Sequence, residues 1–217
     1  MYYLNRIELG RGMSTRLADL KGQEPVLIAL REASISACIG LASEINAWVY
    51  PMLTERVYIT GDPRVMGTIN ADGVFTWNPM FSRPDQEWLT MSFFGMLEES
   101  KRVAFSKINK TMDGYKEFSK DMLTDRKIIL TGDIIRDRLE IVAALELLKE
   151  VRYESLYCAG GNVDAKVFNE MRQISDRIEF LDVMTNMFND EHYFEESSAY
   201  TPEENKLLML NIAQYWQ

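Results

Sequence analysis

The sequence holds one histidine and two cysteines in 217 residues. That scarcity narrows the chemistry. A Ser-His-Asp or Cys-His centre would have to use His192, and no GxSxG stands in the chain, so hydrolase chemistry is not expected. One histidine with Cys38 and Cys158 far apart makes no zinc site, and the two thiols read as buried and reduced. Neither GxGxxG nor GxxxxGK[ST] occurs, which removes the usual dinucleotide and P-loop signatures. There is no basic excess: 24 Lys and Arg face 33 Asp and Glu, a net charge of −9. A nucleic-acid surface would need a basic stripe to displace counterions, and none is expected. A long apolar run is missing too. The stretch from Ala33 to Leu53 is interrupted by Glu44 and Asn46 and broken by Pro51, so no membrane span is read. The opening MYYLNRIELGRGMS lacks the apolar core of a signal peptide, and a cytoplasmic protein is expected.

What is present is ordinary globular composition, 47% hydrophobic and 26% charged, in strand-like and helix-like segments that alternate. One domain over 1–217 is expected. Val26 to Leu30 reads as a buried strand, and Cys38, Leu41, Ala42 and Ile45 share a helix face. Ala47 to Tyr50 is a second strand, stopped by Pro51. A β excursion over about 54–83 contains strands at Arg56–Ile59, Gly67–Ile69 and Val74–Trp77, with a turn at Asn70 to Gly73. A helix from Pro84 to about Asn109 follows. Its Met- and Phe-rich part, Met91 to Phe105, suits core or subunit contact better than a base pocket.

The second half repeats the alternation. Lys127–Thr131 is a strand, Leu139–Glu150 a helix, and Ser155–Ala159 a strand closed by Gly160-Gly161-Asn162, a turn or a place of close ligand approach. A helix carries Val167, Met171 and Ile174, and Ile178–Val183 is another strand. Thr201-Pro202-Glu203-Glu204 starts a C-terminal helix at 201–215, with a capping residue, proline next and glutamate three after the cap.

The order of these elements resembles the type I phosphoribosyltransferases, particularly a bacterial group of small members, over roughly residues 3 to 196. Val26 to Arg31 is similar to the family's strand ending in a proline–arginine–glycine–glycine loop, with Glu32 and Ala33 where glycines are usual. Asp62 to Ile69 looks like the lead into the family's β hood, and Glu98 to Lys110 like its long charged helix. Phe188 with His192 to Glu196 is similar to the aromatic–acidic closing segment. Ile128-Ile129-Leu130-Thr131-Gly132-Asp133-Ile134-Ile135-Arg136-Asp137-Arg138-Leu139-Glu140 aligns without a gap with four apolar residues, two acids and a glycine- and threonine-rich loop. The second acid survives as Asp133. Gly132 replaces the first, and Arg136 to Glu140 replace the small and hydroxyl residues.

The resemblance implies an α/β fold, a mostly parallel central sheet flanked by helices with a small β hood. It also implies a site for a small phosphorylated ligand such as phosphoribosyl pyrophosphate or a nucleotide, and a homodimer. In the family the loop grips a 5′-phosphate with backbone N–H groups and hydroxyls, and two acids hold the ribose. Carried onto this chain, that makes Asp133 the catalytic candidate, with Arg31, Thr131, Gly132, Arg136, Asp137 and Arg138 as ligand contacts. Magnesium is implied only if transfer is retained. The residues leave alternatives open. Asp133 is a ligand group or a helix-start acid satisfied by backbone amides, and Arg31 a ligand contact or an ion pair. Arg136 and Arg138 bind phosphate, face solvent or meet a partner protein. Glu140 would set a negative charge beside a phosphate, so a transferase with weak, altered or lost activity is expected, the alternative being a regulatory or interaction module.

Overall fold

The structure, a computed structural model, describes residues 2–112, 115, 119–196 and 200–214. Five strands form a wholly parallel sheet in the order β2–β1–β6–β7–β8: Val26–Ala29 (β1), Trp48–Pro51 (β2), Lys127–Ile135 (β6), Ser155–Asp164 (β7) and Arg177–Met184 (β8). A second, antiparallel sheet of Thr54–Tyr58 (β3), Val65–Asn70 (β4) and Phe75–Trp77 (β5) forms the hood. The architecture is the expected one, an α/β fold with a parallel central sheet flanked by helices and a small β hood.

The alternation of side chains along β1 explains the layers. Leu27 and Ala29 point to one face, where Ile35–Ile45 (α2) and Arg6–Met13 (α1) cover them. Val26 and Ile28 point to the other, against Arg138–Leu148 (α4), beyond which Ala165–Ile174 (α5) packs on β7. A parallel sheet buried on both faces needs such near-continuous apolar strands. Pro51 closes β2 rather than preceding its end, and it is tolerated because β2 is an edge strand. Thr201 and Glu204 form the expected capping box at the start of Pro202–Gln214 (α6), with Thr201 N donating to the Glu204 carboxylate at 2.8 Å. Residue 215, the last expected in that helix, lies outside the described residues.

Two expectations about strand ends are corrected. β6 does not stop at Thr131, nor β7 at Ala159. Both run on, with Gly132 opposite Gly160 and Ile135 opposite Val163. The glycines are not turn residues. A Cβ on Gly160 would lie 2.6 Å from the Gly132 carbonyl oxygen, and one on Gly161 would lie 2.5 Å from Asp133 O and from Leu9 Cδ1 of α1. They let strands and helix approach closely, so the sheet continues under α1.

The helix over Arg83–Met112 (α3) breaks its regular backbone at Phe93 (φ −128°, ψ 25°) and lies on the hood. Leu97 and Ala104 are buried, whereas Met91, Phe94 and Met96 are exposed. Among the described residues no helix is long and apolar enough to cross a membrane.

Candidate functional site

The carboxyl ends of adjacent parallel strands are where open α/β sheets take ligands. Here the ends of β1 and β6, with the hood beside them, enclose a cleft of about 680 Å³. Arg31, Glu32, Arg56, Arg136, Glu140 and Asp190 are among its lining residues. Of the seven residues expected from the sequence to form a site, Arg31 and Arg136 line this cleft, and the other five do not.

Asp133 is fully buried. Its Oδ2 accepts from Arg6 Nε at 2.9 Å, and its Oδ1 accepts from Arg31 Nη2 at 2.9 Å and Ser34 Oγ at 2.7 Å. Burial alone would raise its pKa, but the charge of Arg31, the Ser34 hydroxyl and Arg6 outweigh it and hold the carboxyl below its ordinary range. Asp133 does not line the cleft, and its carboxylate is bonded to side chains rather than to the backbone amides of a helix start. It is the counter-ion of two arginines.

Sequence reasoning misses Arg6. α1 begins at Arg6 behind the N-cap Asn5, whose side chain accepts from Glu8 N at 3.0 Å. The helix crosses α2 at Gly10 and Gly40, where a Cβ would stand 1.9 Å and 2.1 Å from the carbonyl oxygens of Ala37 and Ile7. That approach delivers Arg6, 3% exposed, onto Asp133. Its Nη2 donates to Glu191 at 2.8 Å, and its guanidinium lies over the Phe194 ring.

The remaining candidates are also engaged. Thr131 is buried, its hydroxyl donating to Ile129 O at 3.2 Å. Gly132 sits within β6, where a Cβ would come 2.6 Å from Ile135 Cγ1. Only Arg136 and Asp137 connect β6 to α4, too short a link for a phosphate-cradling loop. Asp137 caps α4 by accepting from Leu139 N and pairs with Arg56 of the hood, both at 2.9 Å. Arg138 points to Glu170 at 3.0 Å. Arg31 Nη1 and Arg136 Nε both donate to Asp190, at 2.7 Å and 2.5 Å, and Arg136 also donates to Phe188 O.

Glu140 stands at the cleft floor, 3.7 Å from Arg31 Nε and 3.7 Å from Arg56 Nη2. Burial pushes its carboxyl up to about 8, and ion pairs this long do not offset the desolvation. An unfolded chain ionises the same group near 4.5, so the folded state holds its proton over that range and loses stability as pH rises through 8. Glu140→Gln is therefore expected to be nearly neutral at pH 5 and stabilising by on the order of 2 kcal/mol at pH 9. Urea unfolding at both pH values measures this.

Magnesium does not fit these residues. Both Asp133 oxygens are taken by guanidinium and hydroxyl donors, and among the described residues no three His, Cys, Asp or Glu side chains are placed to share a metal ion.

No protein-family model matches the chain, and no curated protein matches it in sequence. Among solved structures it is similar to the crystal structure of TT1426 from Thermus thermophilus, with a TM-score of 0.75 at 17% identity over 97% of this chain and 99% of that one. This likeness is one of fold. A hypothetical protein from Neisseria gonorrhoeae with bound ppGpp matches with a TM-score of 0.45 at 9% identity, over 85% of this chain and 81% of that one. A hypoxanthine phosphoribosyltransferase from Staphylococcus aureus gives 0.44 at 10%, over 87% and 79%. At these scores neither bears on function.

Proposed function

We propose that this chain is a ligand-binding module on the phosphoribosyltransferase scaffold that does not transfer phosphoribosyl groups. Its ligand, small and phosphate-bearing, enters the cleft at the ends of β1 and β6. The observation that carries the reading is the state of Asp133, the one acid left from the family's pair. It is fully buried, both its oxygens are bonded to Arg6, Arg31 or Ser34, and it is not among the residues that line the cleft. The two-residue link into α4 and the carboxylate of Asp137, which caps that helix start, work in the same direction, since a phosphate there would meet like charge. Incubated with phosphoribosyl pyrophosphate, magnesium and a panel of purine and pyrimidine bases, the protein is expected to release no pyrophosphate above the protein-free rate. Protein-dependent release would overturn the reading.

The homodimer that the resemblance implies has a candidate face on α3, where Trp88, Met91 and Phe94 are exposed apolar side chains. Met91→Asp is expected to shift sedimentation towards the monomer. A wild-type protein that sediments as a monomer would remove this part of the proposal.

A further inference from the structure

We propose that Arg31 and Arg136 form a binding site for a phosphate-type anion, and that the chain's own Asp190 holds its place. The inference rests on the cleft being a ligand site, but not on the absence of transfer chemistry.

The two arginines leave neighbouring strands, Arg31 just beyond β1 and Arg136 just beyond β6, and both line the cleft. Each aims a guanidinium at the same carboxylate. Asp190 Oδ2 accepts from Arg31 Nη1 at 2.7 Å, and its Oδ1 accepts from Arg136 Nε at 2.5 Å. Two guanidiniums converging on one carboxylate make an arrangement that recognises phosphate at least as well, because a phosphoryl group brings more charge and a third oxygen.

Asp190 behaves as a stand-in rather than a structural pin. It lines the open cleft itself, and its side chain is 26% exposed, so an incoming anion reaches it without unfolding the protein. The segment that carries it is fastened independently on either side. Glu191 bonds to Arg6, Tyr3 N donates to Tyr193 O, and Phe188 N donates to the Tyr193 hydroxyl. Swinging the Asp190 carboxylate aside therefore breaks two ion pairs and leaves the backbone in place. The ligand chemistry follows: a phosphate monoester or inorganic phosphate, bound in competition with an internal carboxylate and so only weakly by the unaltered chain.

The test is calorimetric titration of the full chain with inorganic phosphate at fixed ionic strength. Asp190→Asn is expected to bind phosphate ~10-fold or more tightly than wild type, the loss of the competing carboxylate being worth at least one decade. Adding Arg136→Gln is expected to abolish the gain, and chloride is expected not to substitute. Equal phosphate affinity in Asp190→Asn and wild type, or a gain that survives Arg136→Gln, would overturn the proposal. Should Asp190→Asn fail to fold, the carboxyl ¹³C resonance of Asp190 in wild type decides the same question. It should move as phosphate saturates, and a resonance that stays put contradicts the site. Because the probe is phosphate alone, a negative result here leaves the transferase question to the pyrophosphate assay.

Discussion

Asp133→Asn is expected to destabilise the protein by about 3–5 kcal/mol, the range for breaking a buried ion pair from one side. Asparagine keeps the shape and can still accept one hydrogen bond, but Arg6, at 3% exposure, loses its buried counter-charge. Glu191, the other anion on Arg6, stays bonded to it at 2.8 Å but is exposed and screened, so it replaces only part of the lost charge. The surface pair of Arg152 and Asp125 offers the contrast, since both side chains are exposed and water screens their attraction. Against a typical total stability of about 5–15 kcal/mol, the loss at Asp133 is large. Urea unfolding at pH 7 measures it, and Arg6→Met combined with Asp133→Asn is expected to cost less than the two single changes added together. The same network has a pH signature. Because the folded carboxyl titrates below its ordinary 3.8, its contribution is complete above that value and disappears as pH falls through the folded pKa. A change of under 1 kcal/mol for Asp133→Asn would mean that the network is not formed.

Gly10→Ala should be comparably damaging, although alanine is the better helix former. In an exposed helix the exchange gains about 1 kcal/mol. Here the new methyl would stand 1.9 Å from the Ala37 carbonyl oxygen, and backbone cannot rotate out of the way. The two helices would have to part, as also for Gly40→Ala against Ile7 O at 2.1 Å. Overpacking of this kind costs about 3 kcal/mol, so the clash wins. Parting the helices also draws Arg6 away from Asp133, which couples this prediction to the first. A raised melting temperature for Gly10→Ala would show that the crossing is looser than described.

The layers were legible because a buried parallel strand and an amphipathic helix each write a short-range pattern. Val26–Ala29 and the face formed by Cys38, Leu41 and Ile45 are local signals, and they fell where expected. The strand ends misled for a physical reason. Glycine is read as punctuation, but Gly132, Gly160 and Gly161 serve close packing between elements distant in sequence, which a local pattern does not carry. Arg6 lay beyond reach for the same reason: it meets Asp133 across 127 residues. The one local clue was Asn5 followed three residues later by Glu8, a capping pattern that marks the start of α1 and so places Arg6 in its first turn. Arg31 and Arg136 were legible as cations near strand ends, but not the carboxylate that joins them, because Asp190 arrives from the closing segment.

Asp133 as an internal counter-ion is the claim on which the site depends. A ¹³C carboxyl titration of that residue, with and without phosphoribosyl pyrophosphate and magnesium, tests it most directly. The carboxyl should remain ionised to below pH 3.8, and its resonance should be unmoved by the ligand pair. A carboxyl that titrates at its ordinary value, or a resonance that shifts saturably when the ligand is added, would contradict that role for Asp133.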